Sequence, residues 1–297
     1  MGHEEPPRAI LHARVAGGNR SGPLERRREV RENPPMDDGR GPERGFFDPT
    51  RRFKGRAELY ARHRPGYPEA VVTLLEAECG LAPGSVVADV GSGTGILAAM
   101  LLARGGRVFG VEPNAQMRAE GERALASYPG FASVAARAEA TTLADASVDL
   151  VTAAQAFHWF DRPRARAEFA RILRPGGWVA LLWNLRRKDA DAFAVAYERL
   201  LLEYATDYEQ VDHANVTDGV IAEFFRPSRC EKRVFPNRQA FDYEGLEGRL
   251  LSSSYAPAAG HPRHAPMLAA LRALFERHNE RGTVAFAYDT LVYFGRL

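Results

Sequence analysis

Short apolar runs alternate along the chain with amphipathic segments of helical period. The runs lack the polar alternation of half-exposed strands, so we expect strands that are buried on both faces of a sheet. The strands predicted in this way are 86–90, 107–111, 132–136, 148–154 and 178–183. Because the intervening segments are long enough for crossover helices, the pattern predicts right-handed βαβ units and a parallel sheet covered on both faces.

Helix ends are marked by prolines, glycines and capping residues. We predict helices over 53–63, 68–79 and 96–104, because prolines separate the first two and a glycine pair ends the third. Asp161 is expected to cap a further helix, which Pro175-Gly176-Gly177 should end.

The part of the chain after the fifth predicted strand is less regular. Apolar residues at helical spacing predict amphipathic helices over 193–204 and 267–275, whereas 207–228 has no clear period. A strand is predicted near 229–236, and strict alternation over 283–295 predicts a long strand with one buried face.

The composition limits the functions that this chain could serve. Its 297 residues are 45% hydrophobic and 26% charged, as in globular proteins. The 40 basic and 38 acidic residues leave a net charge of +2, which argues against a protein that mainly binds nucleic acid or an anionic membrane. All basic residues except Lys54, Lys188 and Lys232 are arginine. This excess indicates either guanidinium recognition of anions or codon bias, and the abundance of alanine favours codon bias.

Cysteine spacing and hydropathy bear on the cellular compartment. Cys79 and Cys230 form neither a metal-binding pair nor a disulfide framework, so we expect no metal and two free thiols in a reducing compartment. No apolar run approaches the ~20 residues of a membrane span, and the first residues lack a signal-peptide pattern. These features predict a cytoplasmic protein.

Residues 1–45 differ from the remainder of the chain. They combine Arg, Glu, Pro and Gly without an aromatic residue, so they cannot bury enough apolar surface to offset the entropy of ordering. A basic arm that binds nucleic acid is an alternative, but acidic residues nearly cancel the arginines. We therefore predict a disordered Arg/Pro/Gly-rich extension, with Met36 as an alternative start of the native protein.

The strongest chemical signal is the run Asp89-Val90-Gly91-Ser92-Gly93-Thr94-Gly95, between a predicted strand and a predicted helix. Glycines at this position allow a tight turn and close approach of a ligand, and the helix behind supplies unpaired N–H groups. The G-x-G-x-G spacing departs from the G-x-G-x-x-G/A of dinucleotide-binding turns, because Ile96 stands at the last position. Asp89 would meet a ligand ammonium group and would repel a pyrophosphate.

Glu112, which ends the next predicted strand, adds a second constraint. A carboxylate there can accept hydrogen bonds from both hydroxyls of a ribose. Together with Asp89, it predicts a ligand that is a nucleoside with an amino-acid-like tail and no phosphate. S-adenosylmethionine has that composition.

The chain resembles class I S-adenosylmethionine-dependent methyltransferases of the broad type 11 group, over about 46–297 and most densely over 86–184. The run Asp89–Gly95 matches their glycine-rich first motif. Glu112-Pro113-Asn114 matches their ribose motif.

The resemblance implies an α/β fold class: a Rossmann-like three-layer sandwich with a seven-stranded, mostly parallel sheet. The last two predicted strands would form its antiparallel carboxyl-terminal edge. It also implies one methyltransferase domain over 46–297, with helical segments at about 186–280 that cover the substrate. Segments 60–68 and 153–160 further resemble the trans-aconitate methyltransferase-like subgroup.

The resemblance also implies which residues contact the cofactor. Arg137-Ala138-Glu139-Ala140 lies where related enzymes often read G-D-A-E-A and contact adenine, and Arg137 replaces the acid that often accepts the adenine amino group. The adenine would then rely on Ala138, Glu139, Pro113 and Met117. Gln155 would border the cofactor at the end of the fourth predicted strand.

Fewer residues point to the acceptor. His158 follows the fourth predicted strand, where open α/β sheets bind ligands, and is a candidate catalytic base; packing beside Trp159 is the alternative. Tyr60 and Arg64 would form part of a lid or bind an acceptor carboxylate, or else they pack the first helix. Tyr255 follows three serines and would line the acceptor pocket.

The expected function is methyl transfer from S-adenosylmethionine to a small molecule, and the subgroup resemblance implies a carboxylate as the acceptor. We expect no nucleic-acid or membrane partner, and a monomer or homodimer. Two alternatives remain. One is a nicotinamide-dependent oxidoreductase, against which the glycine spacing argues. The other is a non-catalytic protein of the same fold that binds the cofactor.

Overall fold

The computed structural model describes residues 57–208 and 216–297. These residues belong to one compact unit, Glu43–Leu297. The extension predicted over 1–45, with Met36, lies outside the described residues, as does the beginning of the helix predicted over 53–63.

Strands and helices alternate through the first two thirds of the described chain. The strands are β1 (Val86–Val90), β2 (Arg107–Val111), β3 (Phe131–Val134), β4 (Val148–Ala154), β5 (Leu173–Arg186), β6 (Cys230–Phe241) and β7 (Val284–Gly295). The described α-helices are α1 (Ala57–His63), α2 (Glu69–Cys79), α3 (Ile96–Ala103), α4 (Ala115–Ala124), α5 (Arg162–Ile172), α6 (Ala192–Tyr204), α7 (Asp218–Phe225), α8 (Tyr243–Leu251) and α9 (His264–His278).

The seven strands form one sheet in the order β3-β2-β1-β4-β5-β7-β6. The five strands from β3 to β5 are parallel to one another, and β7 is antiparallel to both β5 and β6. The predicted fold class is therefore confirmed: an α/β, mostly parallel seven-stranded sheet with an antiparallel carboxyl-terminal edge.

Strand β1 lies inside the parallel part of the sheet and is buried over all five residues. It pairs on one side with β2, where Val90 faces Val111, and on the other with β4, where Asp89 faces Thr152. Because parallel strands end at the same edge of a sheet, the segments that follow β1, β2 and β4 meet there.

Apolar side chains cover both faces of the sheet, as continuous hydrophobic strands require. One face packs against α5 and α7 through Phe169, Ile172 and Phe224. The opposite face packs against α2 and α3 through Leu75 and Leu101. The helices therefore form the two outer layers of a three-layer sandwich.

A third apolar cluster joins α6, α8 and α9 to the extended ends of β6 and β7. Phe286 of β7 lies at its centre, with its ring 5.2 Å from that of Phe193, 4.7 Å from that of Tyr197 and 5.7 Å from that of Phe241. These helices lie within the segment 186–280 for which helical insertions are predicted.

The structure differs from the predicted boundaries most clearly at β5. Helix α5 ends at Ile172 and β5 begins at Leu173, so Pro175-Gly176-Gly177 lies inside the strand instead of between helix and strand. Gly176 has φ +80°, and the register with β4 shifts just after Val148. An irregularity of this kind lets a strand accommodate proline.

The edge strand is longer than the sequence predicts, and two helices were not individually predicted. Strand β6 reaches Phe241, and it tolerates Pro236 because a strand at the edge has one side without a partner. Helices α7 and α8 were not predicted. Across the described chain, no helix combines the length and apolar character needed to cross a membrane.

We expect Phe286→Ala to lower the free energy of unfolding by about 3–5 kcal/mol, because a fully enclosed aromatic ring is replaced by a cavity. Leu202→Ala is the control: this side chain is 54% exposed, so the change should stay within about 0.5 kcal/mol. Urea unfolding of both variants measures the difference. Equal losses would contradict the central position of Phe286 in this cluster.

Candidate functional site

A cavity opens at the edge where the parallel strands β1, β2 and β4 end, and we call it the donor cavity. Its walls come from the glycine-rich turn after β1, the segment after β2, the start of α4, residues 137–139 and the segment after β4. The residues that line it include Tyr60, Tyr67, Asp89, Gly91, Ser92, Gly93, Thr94, Glu112, Pro113, Asn114, Met117, Arg137, Ala138, Glu139, Gln155, Trp159 and Phe160.

Three glycines shape the turn after β1, with φ values of +70°, +58° and +83° at Gly91, Gly93 and Gly95. A Cβ atom on Gly91 would lie 2.4 Å from the Cβ of Ala156, so a side chain cannot fit there. A Cβ on Gly93 would face the cavity, with the Cε of Met117 at 3.4 Å. The turn therefore keeps its backbone accessible to a ligand.

Gly95 lies between two residues that line the donor cavity, Thr94 and Ile96, but does not line it itself; its role in cofactor binding stays a prediction. It precedes α3 in a left-handed conformation, and a Cβ there would lie 2.7 Å from the Cδ1 of Leu125. Glycine is required at this position by the left-handed turn and by the close packing of α3 against α4. A larger residue would push these two helices apart.

Glu112 is held by backbone amides on both of its carboxylate oxygens. The amide of Gly93 donates to Oε2 at 3.0 Å, and the amide of Asn114 donates to Oε1 at 2.7 Å. Burial raises the pKa of this carboxyl, while the two amides oppose that shift. Each oxygen keeps a further lone pair, so the carboxylate can accept hydrogen bonds from two hydroxyl groups.

Asp89 is 1% exposed and is only partly compensated for its burial. The hydroxyl of Thr152 donates to Oδ1 at 2.8 Å, whereas the buried Oδ2 has no hydrogen-bond partner among the described residues. Burial raises the pKa of Asp89 to about 7; the Thr152 bond opposes this shift and the charge of Glu112 adds to it. A cationic ligand would supply the missing partner.

The side of the donor cavity where adenine is predicted to bind combines two charged and three apolar residues. Met117 and Ala138 are buried, and both line the cavity with Pro113. Glu139 also lines it, with its Oε1 accepting the amide of Asp161 at 2.8 Å. Arg137, which stands where an acid was expected, lines the cavity as well.

A second cavity of about 500 Å³ adjoins the donor cavity, and we call it the acceptor cavity. The two share a wall made of five side chains: Tyr60, Tyr67, Ile96, Gln155 and Trp159. The acceptor cavity reaches from this wall across β5 and β7 to α8.

Gln155 occupies a constrained position in the shared wall. Its φ is +56°, which is unusual for a residue with a side chain. Its Nε2 donates to the carbonyl of Asn184 at 3.2 Å, while its buried Oε1 has no partner among the described residues. Strained backbone of this kind is concentrated at ligand sites.

The predicted acceptor residues His158, Arg64 and Tyr255 line the acceptor cavity. His158 lies beside Trp159 with ring centroids 4.8 Å apart. The guanidinium of Arg64 lies 4.7 Å from the ring centroid of Tyr60 and donates to the carbonyl of Ser252 at 3.3 Å. The cavity therefore brings together segments that are almost 200 positions apart, as the Arg64–Ser252 separation of 188 shows.

Two residues of the site were not predicted. Thr152 contacts Asp89 from the buried part of β4, and a polar residue among the apolar positions 150–154 was the available signal. Arg249 lines the acceptor cavity at 7% exposure. It shares a helical face with Leu246 and Leu250, so a basic residue on an apolar face was the signal there.

Metal ligands and cysteine pairs do not contribute to either cavity. Within 57–208 and 216–297, no three His, Cys, Asp or Glu side chains are grouped to hold a metal ion. Cys79 and Cys230 are free thiols, and burial raises the pKa of Cys79 to about 12. Such a thiol is a poor nucleophile at neutral pH.

The raised pKa of Asp89 predicts how stability depends on pH. The folded protein retains the Asp89 proton up to about pH 7, whereas the unfolded chain loses it near pH 4. The contribution of this protonated carboxyl to the free energy of unfolding is therefore lost as pH rises through about 7. We expect the ligand-free protein to lose about 1.4 kcal/mol per pH unit between pH 5 and 7, relative to Asp89→Asn. Chemical unfolding across this range measures both profiles, and parallel curves would contradict the shift.

Comparison with known proteins gives this geometry a family context. Residues 88–181 match the family model described as a methyltransferase domain. An uncharacterized methyltransferase of Mycobacterium tuberculosis is 42% identical over 135 residues, which are 45% of this chain and 52% of that protein. One from Schizosaccharomyces pombe is 32% identical over 137 residues, or 46% and 53% of the two chains. The chain thus spans about half the length of the curated relatives it matches.

Solved structures are similar over a larger part of the chain. A candidate type II methyltransferase from Anaeromyxobacter dehalogenans superposes with a TM-score of 0.59 and 27% identity, covering 78% of this chain and 97% of that one. A candidate methyltransferase of an antibiotic biosynthesis pathway from Anabaena variabilis superposes with a TM-score of 0.53 and 22% identity. It covers 78% of this chain and 98% of that one, and this similarity shows the fold alone. Asp89, Glu112 and Gln155 lie inside 88–181, so the donor cavity is formed largely by the part of the chain that is similar to methyltransferase domains.

Proposed function

We propose that the protein transfers the methyl group of S-adenosylmethionine to a small molecule bound in the acceptor cavity. The observation that carries the proposal is the buried carboxyl of Asp89, which lies beside a glycine turn and a second carboxylate and whose Oδ2 has no hydrogen-bond partner within 57–208 and 216–297. A cationic nucleoside fits these groups, whereas a pyrophosphate would be repelled. When bound, S-adenosylmethionine supplies a methyl group on a positively charged sulfur.

The donor cavity supports a role for each of its residues. Asp89 would bind the ammonium group, and Glu112 would accept the ribose hydroxyls. The backbone at Gly93 leaves room for the amino-acid tail. Met117 and Ala138, with Pro113 and Glu139, would enclose the adenine ring. Gln155 would hold the reacting end at the shared wall.

The acceptor that we propose is a carboxylate, in line with the resemblance to the trans-aconitate methyltransferase-like subgroup. Arg64 is the charged residue next to the shared wall, and Tyr60 and Tyr255 flank the same cavity. The residues that surround both ligands exclude water and orient the acceptor, and orientation alone can lower a barrier by about 7–11 kcal/mol.

His158 is the proposed catalytic residue, because it lines the acceptor cavity at the end of β4. An imidazole there can remove the proton of a hydroxyl or amine, or donate a hydrogen bond that orients a carboxylate. We further propose a cytoplasmic monomer or homodimer that uses neither nucleic acid nor membrane as a partner.

The two alternative functions are separated by ligand titration. A nicotinamide-dependent oxidoreductase would bind NADH, and a non-catalytic protein would bind S-adenosylmethionine without turnover on any acceptor. Calorimetry with both ligands, followed by mass spectrometry of a metabolite extract incubated with labelled S-adenosylmethionine, tests all three. Binding of NADH without S-adenosylmethionine would overturn the proposal.

We expect Gly93→Val to raise the Kd for S-adenosylmethionine by about 100-fold or more, or ~2.8 kcal/mol, because the side chain would fill the donor cavity. Gly80→Val is the matched control: Gly80 has a similar φ of +70° but open space around its Cβ position. Both variants carry the same left-handed strain of about 1–2 kcal/mol, so only a change at Gly93 should affect calorimetric binding. Equal Kd values in the two variants would refute the assigned site.

We expect His158→Ala to lower kcat by about 100-fold, because the acceptor carboxylate loses the hydrogen bond that orients it toward the methyl group. The Kd for S-adenosylmethionine should stay within about twofold, because His158 lines the acceptor cavity and not the donor cavity. Steady-state kinetics on the identified acceptor, with calorimetry on the same variant, separates the two effects. An unchanged kcat would leave the imidazole with a packing role beside Trp159.

A further inference from the structure

The wall of the acceptor cavity carries more positive charge than its own carboxylates neutralise. Five cationic side chains line it: Arg64, Arg186, Lys188, Lys232 and Arg249. Among the described lining residues, Asp218 is the one carboxylate. The balance of charge therefore depends on how each cation is paired.

Three of the five cations are paired with acidic side chains. Arg186 forms an ion pair with Glu198, and the Nζ of Lys188 lies 3.2 Å from the same carboxylate. The Nζ of Lys232 lies 2.9 Å from Asp218. Because Arg186 and Lys188 share one carboxylate, one positive charge remains unbalanced at the β5 and β6 side of the cavity, although each of the three cations contacts an acidic group.

Arg64 and Arg249 differ, because no carboxylate lies within ion-pair distance of either among residues 57–208 and 216–297. Arg64 donates to the carbonyl of Ser252, and Arg249 donates to the hydroxyl of Ser253 at 3.0 Å. The Nε atom of each is buried without a hydrogen-bond partner in the same part of the chain. Both contacts are to neutral groups, so two full positive charges remain uncompensated.

The two guanidinium groups also repel each other. Burial lowers the pKa of Arg64, and the positive charge of Arg249 lowers it further. An arginine side chain does not lose its proton in proteins, so the charges persist. The surrounding hydroxyls of Ser254, Tyr255 and Tyr288 add hydrogen-bonding capacity but no negative charge. Buried, unpaired charge of one sign is costly unless a ligand of opposite charge neutralises it.

We propose that Arg64 and Arg249 form one anion site that selects an acceptor carrying two negative charges. The inference rests on the proposed function, since it assigns the charge class of the acceptor in that cavity. The shared chemistry is a small dianion, either a dicarboxylate or a phosphate monoester. Guanidinium groups bind both through paired, charge-assisted hydrogen bonds.

The position of the pair also orients the ligand. Arg64 lies against Tyr60 of the shared wall. Arg249 comes from α8 and lines the acceptor cavity but not the donor cavity. A dianion held by both residues would extend away from the donor cavity. Arg249 is therefore a specificity residue for the acceptor and has no contact with the donor cavity.

Calorimetric titration of the full-length chain tests the site with succinate, inorganic phosphate and acetate as probes, at one ionic strength set with NaCl. Each titration is made with and without saturating S-adenosylmethionine. We expect saturable binding of succinate or phosphate, with acetate at least about tenfold weaker because one guanidinium stays unpaired. Tighter succinate assigns two carboxylates, and tighter phosphate assigns a phosphate ester.

Arg249→Met should raise the Kd of the tighter dianion on the order of 30-fold or more, because it removes one buried charge partner. Arg249→Lys keeps a positive charge and serves if the methionine variant does not fold; it should bind the dianion less tightly than the wild type. Arg62→Gln is the matched control, since Arg62 is exposed on the helix next to Arg64 and pairs with Glu58. It should leave the Kd unchanged.

Affinity for acetate equal to that for both dianions, or dianion binding unaltered in both Arg249 variants, would overturn the proposal. The Kd for S-adenosylmethionine should be unchanged in Arg249→Met. Failure of the wild type to bind S-adenosylmethionine would count against the proposed function instead, and the dianion titrations without that ligand would still decide the arginine site.

Discussion

Two carboxyl groups buried at one edge of a parallel sheet impose the main constraint on this structure. Taking a carboxylate out of water is costly unless hydrogen bonds or an opposite charge replace the lost hydration. For Glu112 the amides of Gly93 and Asn114 supply that replacement. Asp89 accepts the Thr152 hydroxyl on Oδ1, while its Oδ2 is buried without a hydrogen-bond partner among the described residues. The sheet, the glycine turn and the start of α4 therefore give Glu112 its hydrogen bonds from backbone amides. They leave Asp89 with a free acceptor atom that a ligand could bind.

The two cavities have opposite electrostatic character. Acidic groups converge on the donor cavity, whereas Arg64 and Arg249 leave the acceptor cavity positive. The shared wall of aromatic rings and the Gln155 amide carries no formal charge, so it does not screen one cavity from the other. A cation and an anion placed on its two sides would attract each other strongly in surroundings of low dielectric constant. The arrangement suits a reaction in which a positive and a negative charge cancel.

The sequence predicted the sheet and the donor cavity better than the acceptor cavity. Strands such as Val86–Val90 are buried on both sides, so their apolar runs identify them without tertiary information. Asp89 and Glu112 lie close to their strand ends, so their meeting follows from parallel pairing. Spacing alone does not distinguish a glycine that faces a ligand from one that also packs against Leu125, as Gly95 does.

The acceptor cavity is built from long-range contacts that no local pattern contains. Arg249 reaches the site because α8 packs against α1 and β6, and neither packing is visible in a single segment. Strand β5 begins at Leu173, before its predicted start at 178, because a register shift accommodates Pro175, which local rules assign to a helix end. Pairing with a neighbouring strand can override a local proline or glycine signal for the end of an element.

The wall shared by Tyr60, Tyr67 and Gln155 has a thermodynamic consequence. Any shift of these side chains on filling one cavity changes the shape of the other, so the two binding equilibria are linked through the same atoms. Linkage is reciprocal: the factor by which one ligand changes the affinity of its neighbour is the factor by which the neighbour changes the first. The order in which the two cavities fill therefore alters the path but not the total free energy of the ternary complex.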